Sequence, residues 1–276
     1  MSSIRDEFNK DCVQIKTDIK MKNNFQRIFS QIKTIIAPQN NINYPECGIG
    51  QISENLYQHI LNKGVSFEFN NTISKIEQIN QKQKKITLSD QKTFKCNNII
   101  WTGQLQDLTG ILNIEWPIDL KYISTVILLI VFPRRQRTKS KVLFEYFPDP
   151  DIIFQRLYYT DFFSERGDEY GICLEISENE RIRNMSKVEI LDKAIDGLKK
   201  TQRINSENIL AYKLVNLNNS HPIYLLNYHD VLENIFGKIY QFKGIFPVGR
   251  QGSFHNIQMR DAIKHGLRIG EYCSNV

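Results

Sequence analysis

Gly244-Ile245-Phe246-Pro247-Val248-Gly249-Arg250-Gln251-Gly252 is a short apolar strand running into a glycine-rich turn. Asn256, directly after it, is placed to cap a helix that carries Ala262, Gly266 and Gly270 at four-residue spacing. Residues four apart share one helical face, so this face is nearly bare of side chains and admits close approach to its backbone. A strand, a glycine turn and a helix N-terminus together suit an anionic or electron-rich cofactor. Yet G-x-G-x-x-G occurs nowhere in the 276 residues. The chain reads as the closing half of a dinucleotide enzyme without its opening half.

Composition narrows the class. Hydrophobic residues at 41% and aromatics at 11% suffice for a real core, and 24% charged residues is ordinary for a soluble protein. The net charge of +6 is mild and its Lys and Arg are scattered, so no nucleic-acid partner is expected. The basic run from Arg134 to Lys141 reads as a solvated hairpin tip. Cys12, Cys47, Cys96, Cys173 and Cys273 are far apart, with no CxxC and no Cys/His pair at zinc spacing. Neither a metal site nor a disulfide framework is expected, and a reducing, cytoplasmic location fits. The N-terminus lacks the apolar core of a secretory signal. The most hydrophobic run, Val126 to Phe132, has strand length rather than the ~20 residues of a membrane span.

Residues 1–40 are a polar lead-in with one amphipathic segment (Phe25, Ile28, Phe29, Ile32, Ile35), ending in the loop Pro38 to Pro45. Gly48 and Gly50 open a helix with Ile52, Leu56, Ile60 and Leu61 on one face, stopped at Gly64. Val65 to Phe69 alternates as a strand. Ile73 to Ile79 reads as a second, although its isoleucines fall every third position. A charged hairpin around Gln81 to Lys85 precedes the strands Ile86 to Leu88 and Thr93 to Cys96. The apolar run Asn98 to Gly103 suits a strand buried on both faces, hence a parallel or mixed sheet.

The middle third differs in texture. Tyr122 to Phe132, Val142 to Phe147, Ile152 to Tyr159 and Gly171 to Ser177 suggest an antiparallel sheet. A helix follows from Lys187 to Lys200, then a strand near Ile209 to Val215, a break at His221-Pro222-Ile223-Tyr224, and a helix from Val231 to Tyr240. The order implies a mixed α/β chain in which residues 116–225, an antiparallel domain, interrupt an α/β domain made of residues 1–115 and 226–276.

Three segments, in this order, resemble the flavin-dependent amine oxidase, protoporphyrinogen oxidase and UDP-galactopyranose mutase superfamily. Tyr44-Pro45 through Gly48, Gly50 and Leu56, followed by Gly64 to Ile76, looks like that family's "YP-x-GG-x-G…L" helix and the strand pair after it. Asn98 to Thr102 is similar to its "D-x-V-I-x-T" strand. The third is Gly249-Arg250 through Asn256, Asp261 and Gly266. Gly-Arg at the turn points to the mutase-like branch, as do Tyr146 to Arg156, Leu174 to Ser177 and His221 to Tyr224. The resemblance implies an incomplete FAD-binding Rossmann-like domain with the antiparallel sheet as its inserted substrate domain.

On residues, the resemblance places FAD against Gly48, Gly50, Ile73, Thr102, Gly249, Arg250, Gln258 and Met259. Arg156 matches an arginine that in the mutases contacts the diphosphate of the sugar nucleotide, and Asn256 takes the position of a tyrosine that helps hold it, so both would serve the substrate; no catalytic side chain is assigned, since the flavin is the reactive group. Two departures stand out. The mutases carry a tyrosine where this chain has Asn256, and an acidic residue or Asn where it has Gln258. The βαβ unit that cradles the pyrophosphate is also missing from the chain. Three functions therefore remain open: an FAD-dependent oxidoreductase of a small molecule, a sugar-nucleotide mutase, and a non-catalytic module whose open sheet edge is covered by a second copy or a partner chain. An incomplete gene model is a further explanation for the missing unit. From the residues alone, Gly48 and Gly50 equally suit a plain loop, Arg250 a loop tie, and Arg156 a salt-bridged strand residue. No histidine pairs at catalytic spacing, and His221 reads as a turn residue.

Overall fold

The computed structural model describes residue 45 and residues 48–136, 142–160, 167–204 and 208–274. All but Pro45 belong to the second of the two units into which the chain divides, Glu46–Val276. The amphipathic segment Phe25 to Ile35, the loop before Pro45, Cys12, Cys47 and the basic residues 137–141 lie outside the described residues.

Helix α1 (Gly50–Leu61) is followed by the strands β1 (Ile73–Gln78), β2 (Lys84–Leu88) and β3 (Thr93–Cys96), an antiparallel meander in that order. The β1–β2 turn is shaped by Asn80, whose Oδ1 accepts from the amides of Lys82 (3.0 Å) and Gln83 (2.9 Å). An irregularity between Ile73 and Lys75 explains why the isoleucines of β1 miss the two-residue period. The strand read at Val65 to Phe69 is absent. A strand exists only through its ladder, and this stretch has no partner among the described residues. Its rings instead meet one another and α1, with Tyr57, Phe67 and Phe69 at centroid distances of 4.5 to 5.8 Å.

Strand β4 (Ile99–Trp101) leads to α2 (Leu105–Ile111) and then to β5 (Lys121–Pro133), the longest central element. After it come β6 (Phe144–Tyr146), β7 (Arg156–Tyr159), β8 (Glu169–Ser177), the short α3 (Glu180–Arg183) and α4 (Lys187–Lys200). Strand β9 (Ala211–Ile223) completes an antiparallel sheet of order β6-β7-β8-β5-β9. Alternation along β5 sends Val126, Leu128, Ile130 and Phe132 into a core with Ile172, Leu174 and Ile176 of β8. Helix α4 closes that face with Ile190, Ala194, Ile195 and Leu198. Its start is fixed by a capping box: Ser186 Oγ accepts from the Glu189 amide (3.2 Å) while Glu189 Oε2 accepts from the Ser186 amide (2.7 Å).

The break read at His221-Pro222 does not occur, because β9 runs through Ile223. Among the described residues β9 pairs only with β5, so it stands at the edge of the sheet, and an edge tolerates a residue with no N–H to give.

The remaining elements are α5 (Tyr228–Ile239), β10 (Ile245–Pro247), the one-turn α6 (Gly249–Gly252) and α7 (Met259–Ser274). β10 pairs with β4 in parallel, Ile245 opposite Ile99 and Pro247 opposite Trp101. Ile99 and Ile245 join a second core with Leu105, Leu108, Leu232, Ile235 and Phe254. The expectation that β4 is buried on both faces is corrected: Ile99 is buried but Ile100 is 45% exposed. α2 and α5 cover one face of this pair, while the other is met near Phe246 by the Tyr272 ring of α7, at 5.4 Å. Among the described residues, no helix is long and apolar enough to cross a membrane. The fold is mixed α/β, as expected.

Candidate functional site

Both strands of the parallel pair end at the same place, the end at which open α/β sheets bind ligands. The amide of Val248 donates to the carbonyl of Trp101 (2.9 Å), bringing the turn after β10 against Thr102. Gly249 then takes φ +76°, a left-handed conformation that glycine adopts at no steric cost. Gly252 sits so close to the strand that a Cβ would overlap the Trp101 carbonyl oxygen. Phe254, fully buried, anchors the far side of the turn against Tyr122 at 5.0 Å.

Arg250 reaches forward. Its Nε and Nη2 donate to the Ile257 carbonyl (3.1 and 2.7 Å), tying down the segment that leads into α7. Of the two roles open to Arg250 in the sequence, the loop tie is one that it performs. Asn256 does not cap this helix. α7 begins at Met259, and the Gln258 amide donates to Asp261 Oδ2 (3.3 Å), so the carboxylate three residues on takes the capping contact.

Arg156 lies on the face of the five-stranded sheet opposite α4. Cross-strand register puts Tyr146 of β6, Arg156 of β7 and Glu175 of β8 in one row. Arg156 donates from Nε (3.0 Å) and Nη2 to Glu175 Oε2, and from Nη1 to the Tyr146 hydroxyl (3.0 Å). Its guanidinium also lies over the Tyr158 ring, 4.9 Å from the centroid. Burial, with Glu175 adding to it, pushes the Tyr158 hydroxyl up to about 12, so it stays protonated. This row lines a cleft of about 250 Å³ together with Gln155 and Ser177 and, on the neighbouring strands, Ile123, Thr125 and His221. Gln155 Oε1 is fixed by the Ser177 amide at 2.7 Å.

The two places are joined through β9. Gln251, on the glycine turn, donates from Nε2 to the carbonyls of Asn219 (3.2 Å) and Ser220 (3.0 Å). Asn219, at φ +51°, donates from Nδ2 to Gln104 Oε1 (3.0 Å), at the start of α2. His221, next after Ser220, is in the cleft. Burial, then the charge of Arg250, lowers its proton affinity; Glu175 opposes this and Arg156 adds to it.

The structure thus brings Thr102, Gly249 and Arg250 together, with Gln258 and Met259 at the start of the helix that follows, and places Arg156 beyond His221. Asn256 is exposed in the connecting segment. Ile73 begins β1 at the edge of the meander, opposite Leu88. Gly48 and Gly50 stand at the start of α1, which buries none of its side chains. Sequence reading missed Thr125, Gln155, Ser220 and His221. Thr125, Ser220 and His221 meet through the β5–β9 pairing, with Ile123 opposite His221 and Thr125 opposite Leu217, and Gln155 joins them through its hydrogen bonds to Glu175 and Ser177 of β8. Among the described residues, no group of three or more His, Cys, Asp or Glu is placed to hold a metal ion.

A flavin-sized group can be tested against these positions. A Cβ added at Gly249, Gly266 or Gly270 would meet nothing within 4 Å, so the turn and one face of α7 stand open to a close-lying partner. With the N-terminus of α7 beside the turn, these residues fit the flavin-facing part of such a group.

No protein-family model and no curated protein sequence matches the chain. Solved structures do. Reduced UDP-galactopyranose mutase aligns with a TM-score of 0.64 and 16% identity, over 76% of this chain and 46% of that one. A putative protoporphyrinogen oxidase from Exiguobacterium sp. 255-15 aligns with a TM-score of 0.68 and 14% identity, over 87% and 54%. The chain spans about half the length of the structures it matches. At such identities the likeness concerns the fold: over the aligned residues this chain shares the fold of the UDP-galactopyranose mutase and protoporphyrinogen oxidase structures, as the resemblance implies.

Proposed function

We propose that this chain supplies the flavin-facing turn and the substrate sheet of an FAD-dependent oxidoreductase acting on a small molecule. The observation that carries this reading is the join through β9. Gln251 on the Gly249–Arg250 turn grips the backbone of Ser220, and the next residue lines the cleft built on Arg156. Cofactor turn and substrate wall are therefore fixed to one rigid strand. Thr102, Gly249, Arg250, Gln258 and Met259 would hold the flavin, with Gly48, Gly50 and Ile73 assigned to it by resemblance. Arg156 and Asn256 would serve the substrate. Bound FAD would supply the redox chemistry, and the chain's residues bind and orient.

The mutase reading is less well supported. Three of the five N–H groups of Arg156 are already engaged by Glu175 and Tyr146, and the Glu175 carboxylate stands beside it. That environment disfavours a diphosphate and suits a lightly charged substrate. The module reading has its own support in the exposed apolar residues Ile100 (45%), Ile263 (53%) and Leu267 (65%). We assign that surface to a second copy or a partner chain. Free thiols at Cys96, Cys173 and Cys273 support a cytoplasmic location.

Titrating the purified chain with FAD tests the reading. The expected result is a red-shifted, partly quenched flavin spectrum that Gly249→Trp abolishes while the circular dichroism stays unchanged. A folded chain that leaves the flavin spectrum unaltered at every concentration would overturn it.

A further inference from the structure

His221 has two ring nitrogens in unequal surroundings. Ser220 Oγ donates to the Ile123 carbonyl (3.1 Å), lies 2.8 Å from Thr125 Oγ1, and lies 3.1 Å from His221 Nδ1. A hydroxyl has one proton and two lone pairs. In the arrangement that satisfies all three contacts at once, the Ser220 proton goes to the carbonyl, which can only accept. Both other contacts must then bring protons to Ser220 Oγ: Thr125 gives its own, and His221 gives Nδ1–H. The neutral ring is therefore the Nδ1–H tautomer, and its lone pair sits on Nε2. Nε2 has no protein partner among the described residues, and the residue lines the cleft.

We infer that His221 Nε2 is the hydrogen-bond acceptor for a substrate hydroxyl, and that the cleft takes a small hydroxylated monoanion whose charge rests on the N–H groups of Arg156 left free by Glu175 and Tyr146. The charges facing this ring from neighbouring elements are Arg250 on α6, Glu175 on β8 and Arg156 on β7, which together sum to a single positive charge. Their balance, with burial, keeps the ring neutral at a pH where an ordinary histidine is partly protonated. Acidification through that lowered value converts Nε2 from acceptor to donor and removes the site. The inference rests on reading this cleft as the substrate side of the flavin enzyme, but its test needs no flavin.

The test is nitrogen NMR on the folded chain with labelled imidazoles, the His221 signals identified by their loss in His221→Gln. Nδ1 is expected to be pyrrole-like and Nε2 pyridine-like. Ser220→Ala should move the population toward Nε2–H, whereas Thr125→Val, which leaves the Nδ1 contact in place, should not. Glycolate should shift the Nε2 signal several-fold more than acetate, which lacks the hydroxyl, and this difference should vanish as the pH falls. A protonated Nε2 in the unaltered protein would overturn the inference even if Ser220→Ala failed to fold. Equal responses to glycolate and acetate would overturn it too. Absence of FAD binding alongside the expected nitrogen signals would sink the flavin reading and leave this site standing.

Discussion

The five-stranded sheet and the β4–β10 pair solve the same problem to different degrees. In the first, β5 is thirteen residues long, flanked on both sides, and its inward residues meet α4 and the segment around Phe154 in a closed core. In the second, two three-residue strands have one face under α2 and α5 and the other largely open. α7 touches that open face near Phe246 and buries Ile269, yet its Met259, Ile263 and Leu267 face outward. The first region closes a core against its own helix; the second leaves an apolar stripe on α7 exposed, a shape suited to something that lies against it.

The sharpest way to break this comparison is to truncate one side chain in each region. Leu128 is fully buried, opposite Leu174 on one neighbour and Leu214 on the other. Leu128→Ala removes the buried methyl groups and leaves a cavity, so it should cost about 2–5 kcal/mol in urea unfolding. Leu267→Ala, at a position 65% exposed, should stay within about 0.5 kcal/mol. A large loss from Leu267→Ala would mean that the stripe is packed in the free chain, and the contrast drawn here would collapse.

Glycines draw the same line at smaller magnitude. Gly252→Ala forces a methyl against the Trp101 carbonyl, which belongs to the β4 backbone and cannot swing aside. The expected loss is about 1–3 kcal/mol, together with a weakened flavin response, since the turn is displaced from Thr102. Gly266→Ala, in open space on α7, should instead stabilise by up to about 1 kcal/mol through helix propensity. Denaturant midpoints of the two variants should move in opposite directions. If Gly266→Ala also abolishes FAD binding while raising the midpoint, the bare face of α7 is a contact surface rather than a simple helix face.

What could be read in advance follows from how local each determinant is. The bounds of α4 were legible because Ser186 and Glu189 carry their own capping chemistry and Lys199 and Lys200 mark the end. The run from Tyr122 to Phe132 was legible because period and length lie within one segment. Pairing is not local. Val65 to Phe69 has the alternation of a strand but no neighbour to ladder with, while Pro222 breaks nothing because β9 has a neighbour on one side only. Cap geometry also escaped: Asn256 has the right chemistry, but Asp261 holds the Gln258 amide. The glycine turn could be named from its residues, whereas the cleft depends on register among five strands. Tyr146, Arg156, Glu175 and His221 come from four of them, and no spacing along the chain announces the set.

Two cysteines extend the comparison to pH, with the smallest effect. Cys173, on the same face of the five-stranded sheet as Arg156, has its thiol pushed up to about 11 by burial, with Glu175 adding to it and Arg156 opposing. Cys96, in the meander, is also raised by burial, but the ammonium of Lys84 works against the shift. In both, the folded state holds its proton more tightly than the unfolded chain, whose thiols titrate near 9. Above that pH the unfolded state loses protons that the folded state retains, so stability falls as pH rises and the loss saturates once the folded thiol also ionises. For Cys173 the window runs from about 9 to about 11. Cys173→Ala should flatten the alkaline limb of a stability–pH curve there, and Cys96→Ala should flatten it less. If the two variants flatten it equally, Cys173 is no better shielded from water than Cys96, and the wall formed by Arg156 and Glu175 is more open to water than its hydrogen bonds imply.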